Sequence, residues 1–317
     1  MCLKIICKGT LAAALIIVLL LTIPLTIAEE MAVPAELAEL VCHYTVWSDV
    51  SLTKLFSASA LHETEPTFIG RENGIAYYDD GSSFLSFATG NVQLETEKFQ
   101  NIYNVLFTET QVSQTILYNN VSSYTLPDVI LDFWAAAGTA ACVSSVPYVT
   151  YAWDQAALDS YIPTLLEMGE TISNEAFADC VQAAKPFSCA FYQLSMEGVP
   201  ICSDTFFMPS GNLIIGTNLQ LLIAEDRIQF MYTGNALIDH TEARNKSPVI
   251  SREQAEMALI SMFNSLFLPE ALTITQGELC YLPADETASS VTLIPVWLFH
   301  TNMDVHAVHA LTGKTMF

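Results

Sequence analysis

An uncharged apolar segment near the N-terminus does most to limit what this chain can fold into. Residues 11–28 follow two lysines, carry no charge and are followed directly by Glu29 and Glu30. A short positive region, an apolar run and a small final residue form the pattern that secretion machinery reads, and the length also suits a helix that spans a bilayer. We therefore expect residues 1–28 to be a signal peptide or a membrane anchor, and the rest of the chain to fold outside the cytoplasm.

The rest of the chain is acidic and rich in apolar residues. The whole sequence has 34 Asp and Glu against 11 Lys and Arg, a net charge of -23, and 52% of its residues are hydrophobic. Such acidity favours solubility in an exported protein and repels nucleic acid and anionic lipid, so neither is an expected partner. The apolar content rules out a disordered chain and suffices for one large core or two smaller ones.

The cysteines beyond the apolar segment leave two interpretations open. Their number is even, which in an exported chain permits disulfides, but no C-x-x-C spacing occurs among them, so neither a zinc site nor a redox pair is expected. A chain of this length does not need disulfides for stability, and we favour small buried thiols. These residues are Cys42, Cys142, Cys180, Cys189, Cys202 and Cys280.

Strand patterns dominate the first half of the chain. Residues 75–78 and 84–88 flank an Asp-Asp-Gly turn, which predicts a hairpin. A helix is expected from Glu97, because apolar residues then recur at spacings of three and four. Residues 131–150 are almost free of charge, and their pattern leaves a buried strand pair and a mobile segment as alternatives.

The second half contains two similar patterns, each a helix followed by strands. The first helix is predicted to be capped by Ser173, and the strands that follow it are predicted at residues 188–196, 213–224 and 228–232. Acidic and glycine-containing turns separate these strands.

The second pattern begins at a predicted capping box, in which Ser251 and Gln254 satisfy each other's backbone groups at the start of a helix. Apolar residues recur at helical spacing after it. The strands predicted to follow lie at residues 272–274, 279–282, 291–300 and 305–311.

The repetition of helix and then antiparallel strands predicts an α+β fold of repeated helix-plus-antiparallel-sheet units. After the N-terminal segment of residues 1–28, we expect an N-terminal α+β region at 29–150, a middle repeat at 151–246 and a C-terminal repeat at 247–317.

Three motifs of the C-terminal unit form a recognisable set. A Ser-x-x-Gln-Ala turn opens its helix at residues 251–255, a strand contains Pro-Val-Trp at 295–297, and Ala-x-Thr-Gly follows at 310–313. With the turns that precede it, the stretch 188–317 resembles the PepSY-like unit of exported regulators of the YycH/YycI kind. Relatives often carry an acidic residue where this chain has His309. The resemblance implies membrane-linked regulation of a sensor kinase by protein contact, without catalysis.

One serine pattern resembles a catalytic motif. Ser51 and Lys54 match the Ser-x-x-Lys of penicillin-recognising enzymes, in which the lysine activates the serine. The Lys-Thr-Gly element of those enzymes is not formed, because Met316 follows Thr315. We therefore interpret Ser51 and Lys54 as a chance match.

The histidines do not predict a metal site. His306 and His309 are three residues apart in a predicted strand, so their side chains are expected on opposite faces. The remaining histidines have no His or Cys neighbour at ligand spacing and are interpreted as ordinary surface or hydrogen-bonded residues. They are His43, His62, His240 and His300.

The sequence therefore predicts no catalytic, cofactor-binding or metal-binding residues. We expect a non-enzymatic exported or membrane-anchored protein that acts by contact with a membrane or envelope protein, with a sensor kinase as one candidate partner. The alternative is an extracytoplasmic protein that binds a small molecule or a peptide through aromatic-rich strands. The aromatic residues of those strands are Tyr77, Tyr78, Phe84 and Phe87.

Overall fold

The fold is carried by antiparallel sheets. The computed structural model describes residues 33–59, 61–104, 106–107, 126–145, 147–160, 163, 183–203, 206–207, 213–214, 216–264 and 271–316. The predicted leader at 1–28 and most of the helix predicted after Ser173 therefore lie outside the described residues.

Strands and helices of this part of the chain have the following bounds. The strands are β1 Glu36–Tyr44, β2 Thr67–Glu72, β3 Ile75–Asp79, β4 Ser83–Ala88, β5 Asn91–Thr96, β6 Cys142–Val143, β7 Val149–Trp153, β8 Phe187–Met196, β9 Val199–Pro200, β10 Phe206–Phe207, β11 Leu213–Ile214, β12 Asn218–Ala224, β13 Arg227–Tyr232, β14 Ile238–Pro248, β15 Ile274–Ala284, β16 Ser290–Thr301 and β17 Val305–His309. The helices are α1 Asp49–Ala58, a π-helical turn Phe99–Tyr103, α2 Asp128–Ala137 and α3 Arg252–Asn264.

A five-stranded sheet has the order β14-β1-β16-β15, and β17 pairs with β16 as well. The first part of β16 pairs with β1 and the last part with β17, so these two strands lie end to end along the same side of it. Pro295 falls between the two paired stretches. A proline lacks the N–H that a ladder needs, and this gap lets it sit inside a central strand.

A ten-stranded sheet has the order β2-β3-β4-β5-β13-β12-β8-β6, with β7 and β9 also paired to β8. Strand β8 is buried on both faces. Ala190 and Tyr192 lie in the main core, whereas Cys189 and Phe191 lie in a second cluster with the π-helical turn. A strand covered on both sides needs no polar face, which is why β8 is an almost continuous apolar run.

The main core joins both sheets and the three α-helices. It contains Leu40 of β1, Leu85 of β4, Leu52 of α1, Phe133 of α2 and Leu259 of α3, all with 1% or less of their surface exposed. Burial of such side chains stabilises a fold by roughly 1.5 to 3 kcal/mol each.

The expected α+β fold of repeated helix-plus-antiparallel-sheet units is wrong, because the chain is mostly antiparallel β with two large sheets. Strand β1 pairs with β14 and β16, and β5 pairs with β13, so strands far apart in the sequence form the same sheet. Local periodicity identifies elements but does not encode which distant strand each one pairs with.

Several local predictions are confirmed. The hairpin predicted from residue 75 to residue 88 is the antiparallel pair β3–β4. The predicted strand at 188–196 is β8. The capping box of α3 is formed: the N–H of Ser251 donates to Oε1 of Gln254 at 2.9 Å, and the N–H of Gln254 donates to Oγ of Ser251 at 3.2 Å.

Other local predictions need correction. Neither alternative for 131–150 describes its first part, because α2 continues to Ala137, with Phe133 and Trp134 buried. The predicted strand at 213–224 is divided between β11 and β12. The strands predicted at 272–274 and 279–282 are not separate, because β15 runs from Ile274 to Ala284. Its ladder to β16 continues through the polar residues between them, with one irregularity between Ile274 and Gln276.

Candidate functional site

A cleft of about 1110 Å³ opens beside helix α1. Its walls are α1, the loop of residues 61–66 and strands β2 and β3, and Asp132 of α2 lies at its border. Strand β2 is at one end of the ten-stranded sheet.

Helix α1 is held by a capping box at its first turn. The N–H of Ser48 donates to Oγ of Ser51 at 2.8 Å, and the N–H of Ser51 donates to Oγ of Ser48 at 3.2 Å. The hydroxyl of Ser51 also donates to the Ser48 carbonyl at 2.8 Å. The Ser-x-x-Lys pattern of Ser51 and Lys54 is thus the start of a helix, with the serine hydroxyl engaged in capping.

The loop beside the cleft is fixed by Asp80, whose side chain is buried. Its carboxylate accepts the backbone N–H of Glu63 at 2.8 Å, of Ser82 at 2.8 Å and of Ser83 at 2.6 Å. The Thr64 hydroxyl donates to the Asp80 carbonyl. These bonds tie residues 63 and 64 to the turn between β3 and β4, so one wall of the cleft is preorganised.

Aromatic rings form the floor of the cleft. Tyr78 contacts Phe56 of α1 and Phe68 of β2 edge-to-face, with centroid distances of 5.1 and 5.3 Å. Phe87 lies against Phe56 at 5.6 Å. Such pairs add about 0.5 to 1.5 kcal/mol to the burial of the rings.

The aromatic residues predicted to form a binding surface are divided between the two faces of the sheet. Tyr78 lines the cleft and Phe87 packs beside it, whereas Tyr77 and Phe84 stack on each other at 5.5 Å. Successive residues of a strand point to opposite faces, and this alternation separates Tyr77 from Tyr78.

The cleft is acidic. Arg71 lies 4.0 Å from the carboxylate of Asp49, and both side chains are largely exposed. Burial and the negative charge of Asp49 raise the pKa of the Tyr78 hydroxyl, and the charge of Arg71 opposes them. The charged residues of the lining are Asp49, Glu63, Glu65, Arg71 and Asp132. Glu63 also forms an ion pair with Arg227, which is not part of the lining. The lining carboxylates still outnumber the cations that pair with them, and a cationic group is the ligand that this balance favours.

Strand β2 presents an exposed apolar edge next to the cleft. Phe68 and Ile69 have 52% and 56% of their surface exposed. Within the described part of the chain, β2 pairs only with β3, so its outer edge offers backbone donors and acceptors to a further strand. Apolar side chains beside an open edge are typical of an interaction site.

Four of the six histidines lie in three settings on the five-stranded sheet, and His62 lines the cleft, with its ring 5.7 Å from that of Phe56. His306 packs against Phe263 at 4.8 Å, and Nε2 of His309 lies 3.2 Å from Glu39, consistent with the predicted opposite faces. His43 and His240, far apart in sequence, stack across β1 and β14 at 4.4 Å. Sequence spacing cannot detect such a pair, because only the strand register brings its members together.

The described cysteines include both exposed and buried thiols. Cys142 is exposed, whereas Cys42 and Cys189 are buried, and all three are free thiols. Burial and the nearby charge of Glu197 raise the pKa of Cys42 to about 12. Cys202 and Cys280 are buried in one apolar cluster, and Cys180 lies outside the described residues.

Comparison with known proteins shows a shared fold and no family. No protein-family model and no curated protein matches the chain. The chain is similar to the crystal structure of an uncharacterized protein from Eubacterium rectale, with a TM-score of 0.57, 12% identity, and coverage of 90% of this chain and 88% of that one. The C-terminal domain of Bacillus megaterium YpeB gives a TM-score of 0.31 with 9% identity over 87% of this chain and 97% of that one, which is too weak to carry an argument.

Among the described residues, no helix is both long enough and apolar enough to cross a membrane.

Proposed function

We propose that this chain is a non-enzymatic exported or membrane-anchored protein that binds an extended segment of another extracytoplasmic protein. The observation that carries the proposal is the acidic, aromatic-floored cleft beside the open edge of β2. An edge strand can accept an extended peptide as an additional strand, with main-chain hydrogen bonds giving affinity and side-chain pockets giving specificity.

The chemistry of the cleft describes the segment that it would hold. An apolar side chain would pack against Phe68 and Tyr78, and a lysine or arginine would approach the carboxylates of Asp49 and Glu65. The segment is therefore extended, basic and partly apolar. Attraction to so acidic a protein also speeds encounter, and salt screens it.

The motifs of the C-terminal unit suggest where the partner resides. They are similar to those of YycH/YycI regulators, for which membrane-linked control of a sensor kinase is implied. Together with the predicted leader or anchor at residues 1–28, this favours a membrane or envelope protein as the partner, and a sensor kinase is one candidate.

Site-specific photo-cross-linking in cells tests the proposal. A photoreactive amino acid replaces Ile69 on β2, and in the control it replaces Met257, which is 63% exposed on α3. We expect position 69 to capture a membrane or envelope protein that position 257 does not, and Asp49→Lys to reduce the capture. Identical products from both positions, or none from position 69, would overturn the proposal.

A small cationic molecule is the second candidate ligand, because a cleft of about 1110 Å³ can hold one. A ligand that binds only the folded protein raises its melting temperature. Thermal melts with a set of basic peptides and of amines of matched charge distinguish the candidates: stabilisation by the amines alone would favour the small molecule.

A further inference from the structure

Two histidines and a glutamate, none of which lines the cleft, lie together on one face of the five-stranded sheet. His43 of β1 is directly opposite His240 of β14. Glu242 is two residues after His240 and therefore faces the same way. Its Oε1 is 3.6 Å from Nε2 of His43, and one nitrogen or oxygen of each of the three residues lies within 4.8 Å of the others.

A β-bulge brings a fourth side chain to this group. His43 pairs with His240 and Tyr44 pairs with Ile238, which leaves Asp239 as the extra residue of β14. In a regular strand, neighbouring residues point to opposite faces, but a bulge can redirect a side chain. Here Oδ2 of Asp239 is 2.9 Å from Nδ1 of His240. A proton on Nδ1 that is donated to a carboxylate leaves the lone pair of Nε2 available to a metal ion.

His43 also has a nitrogen suited to a ligand. Its Nε2 is buried and has no hydrogen-bond partner in the described part of the chain. A buried polar atom without a partner costs about 1 to 3 kcal/mol, and a coordinated cation would satisfy it. Arg244 lies 3.6 Å from Oε2 of Glu242. The other carboxylate oxygen, Oε1, is the one near His43 and stays available to a metal ion.

We propose that His43, His240 and Glu242 bind a divalent transition-metal ion, with Zn²⁺ as the expected occupant, and that Asp239 orients His240. Two imidazoles and one carboxylate are ligands that zinc accepts, and a site with three protein ligands keeps a fourth position for water. Ligand atoms about 2.1 Å from a tetrahedral ion lie roughly 3.4 Å from one another. The separation of 3.6 Å between His43 and Glu242 is close to this value, and rotation of the exposed His240 ring brings in the third ligand.

The proposed ion joins an edge strand to its neighbour. β14 is the outermost strand of its sheet, and most of its residues are exposed. Ligands from both β1 and β14 would fix their register at the bulge. Because such an ion binds only the folded arrangement, it should raise the melting temperature.

Zinc titration of the purified protein without a histidine tag tests this proposal. We expect one Zn²⁺ per chain by calorimetry and a higher melting temperature with zinc. His240→Gln and Glu242→Gln should each weaken binding at least tenfold, and Asp239→Asn roughly tenfold to a hundredfold, as losses of orienting partners do. His240, Glu242 and Asp239 are exposed, so these variants should fold, and their melting temperatures without zinc verify this.

His300→Gln is the matched control. His300 lies at the far end of β16 from Ser290, which pairs with His43, and the distance along the strand is roughly 30 Å. The control should bind zinc as the wild type does. The proposal is overturned if the wild type binds no zinc, or if His240→Gln binds as tightly as His300→Gln. The cross-linking result at position 69 is independent of this outcome.

Discussion

Asp80 shows how one side chain can shape the wall of a binding cleft. Its buried carboxylate accepts hydrogen bonds from three backbone N–H groups. Removal of the side chain would leave these three donors without their acceptor. We expect Asp80→Ala to lower the free energy of unfolding by about 2 to 4 kcal/mol, because hydrogen bonds to a charged group contribute about 1.5 to 3 kcal/mol each and are partly replaced by water. Urea denaturation measures the loss.

Asp79→Ala is the control for this prediction, because its carboxylate accepts one N–H, from Gly81, at an exposed turn. Asp79→Ala should lower the free energy of unfolding by less than half as much as Asp80→Ala. Capture of a partner from position 69 should also fall in Asp80→Ala and persist in Asp79→Ala. Equal losses in the two variants would show that Asp80 does not organise the loop.

At the scale of elements, helix α3 depends on the capping box that precedes it. Loss of the Ser251 hydroxyl leaves the N–H of Gln254 without its acceptor. We expect Ser251→Ala to reduce the free energy of unfolding by about 1 kcal/mol, which is typical of a lost N-cap. Ser57→Ala is the control, since this exposed hydroxyl donates to the Lys54 carbonyl within α1, and no backbone N–H of the described residues donates to it. Chemical denaturation should show a change below about 0.5 kcal/mol for the control; a larger change there would refute the capping argument.

The elements that sequence predicts well are those whose signals are local. The capping box at Ser251 and the hairpin around Asp80 need only residues within a few positions of one another. The pairing of β1 with β14 joins residues such as His43 and His240, and no local period records it. The position of the cleft could not be predicted for the same reason, because its lining residues Phe56, Phe68 and Tyr78 come from three different elements. Its aromatic character could be predicted from the sequence, but its location could not.

For the whole molecule, the junction between the two sheets depends on Gly90. Its N–H donates to the Thr45 carbonyl at 2.9 Å, and its carbonyl accepts from Leu237 at 3.0 Å. Its φ is 70°, and a Cβ at this position would lie 2.7 Å from the ring of Tyr44. We expect Gly90→Ala to lower the free energy of unfolding by about 3 kcal/mol, from the left-handed backbone and the steric overlap together.

Gly81→Ala separates these two contributions. Gly81 also has a positive φ, of 83°, but a Cβ there would have nothing within 4 Å. Gly81→Ala should therefore lower the free energy of unfolding by about 1 kcal/mol, because only the left-handed backbone conformation opposes the alanine. Thermal or urea unfolding of both variants measures the difference. If Gly81→Ala is as costly as Gly90→Ala, the contact with Tyr44 does not limit the approach of the two sheets.

The pH dependence of stability follows from groups buried in the core that both sheets share. Burial raises the pKa of Cys42 from 9.0 to about 12, with a contribution from Glu197, and burial raises that of Tyr192 from 10.0 to about 12. Between pH 9 and 12 the unfolded chain loses these protons while the folded chain keeps them. Fewer protons bound in the unfolded state mean that stability falls as pH rises.

The contribution of these two groups to the free energy of unfolding should therefore be highest below pH 9. Above pH 9 it should decline by up to about 1.4 kcal/mol per pH unit for each group. Urea denaturation at a series of pH values from 8 to 11 measures the slope. Cys42→Ala removes one of these two groups and should make the decline shallower than in the wild type. An equal slope in Cys42→Ala and the wild type would mean that the Cys42 thiol does not couple folding to alkaline pH.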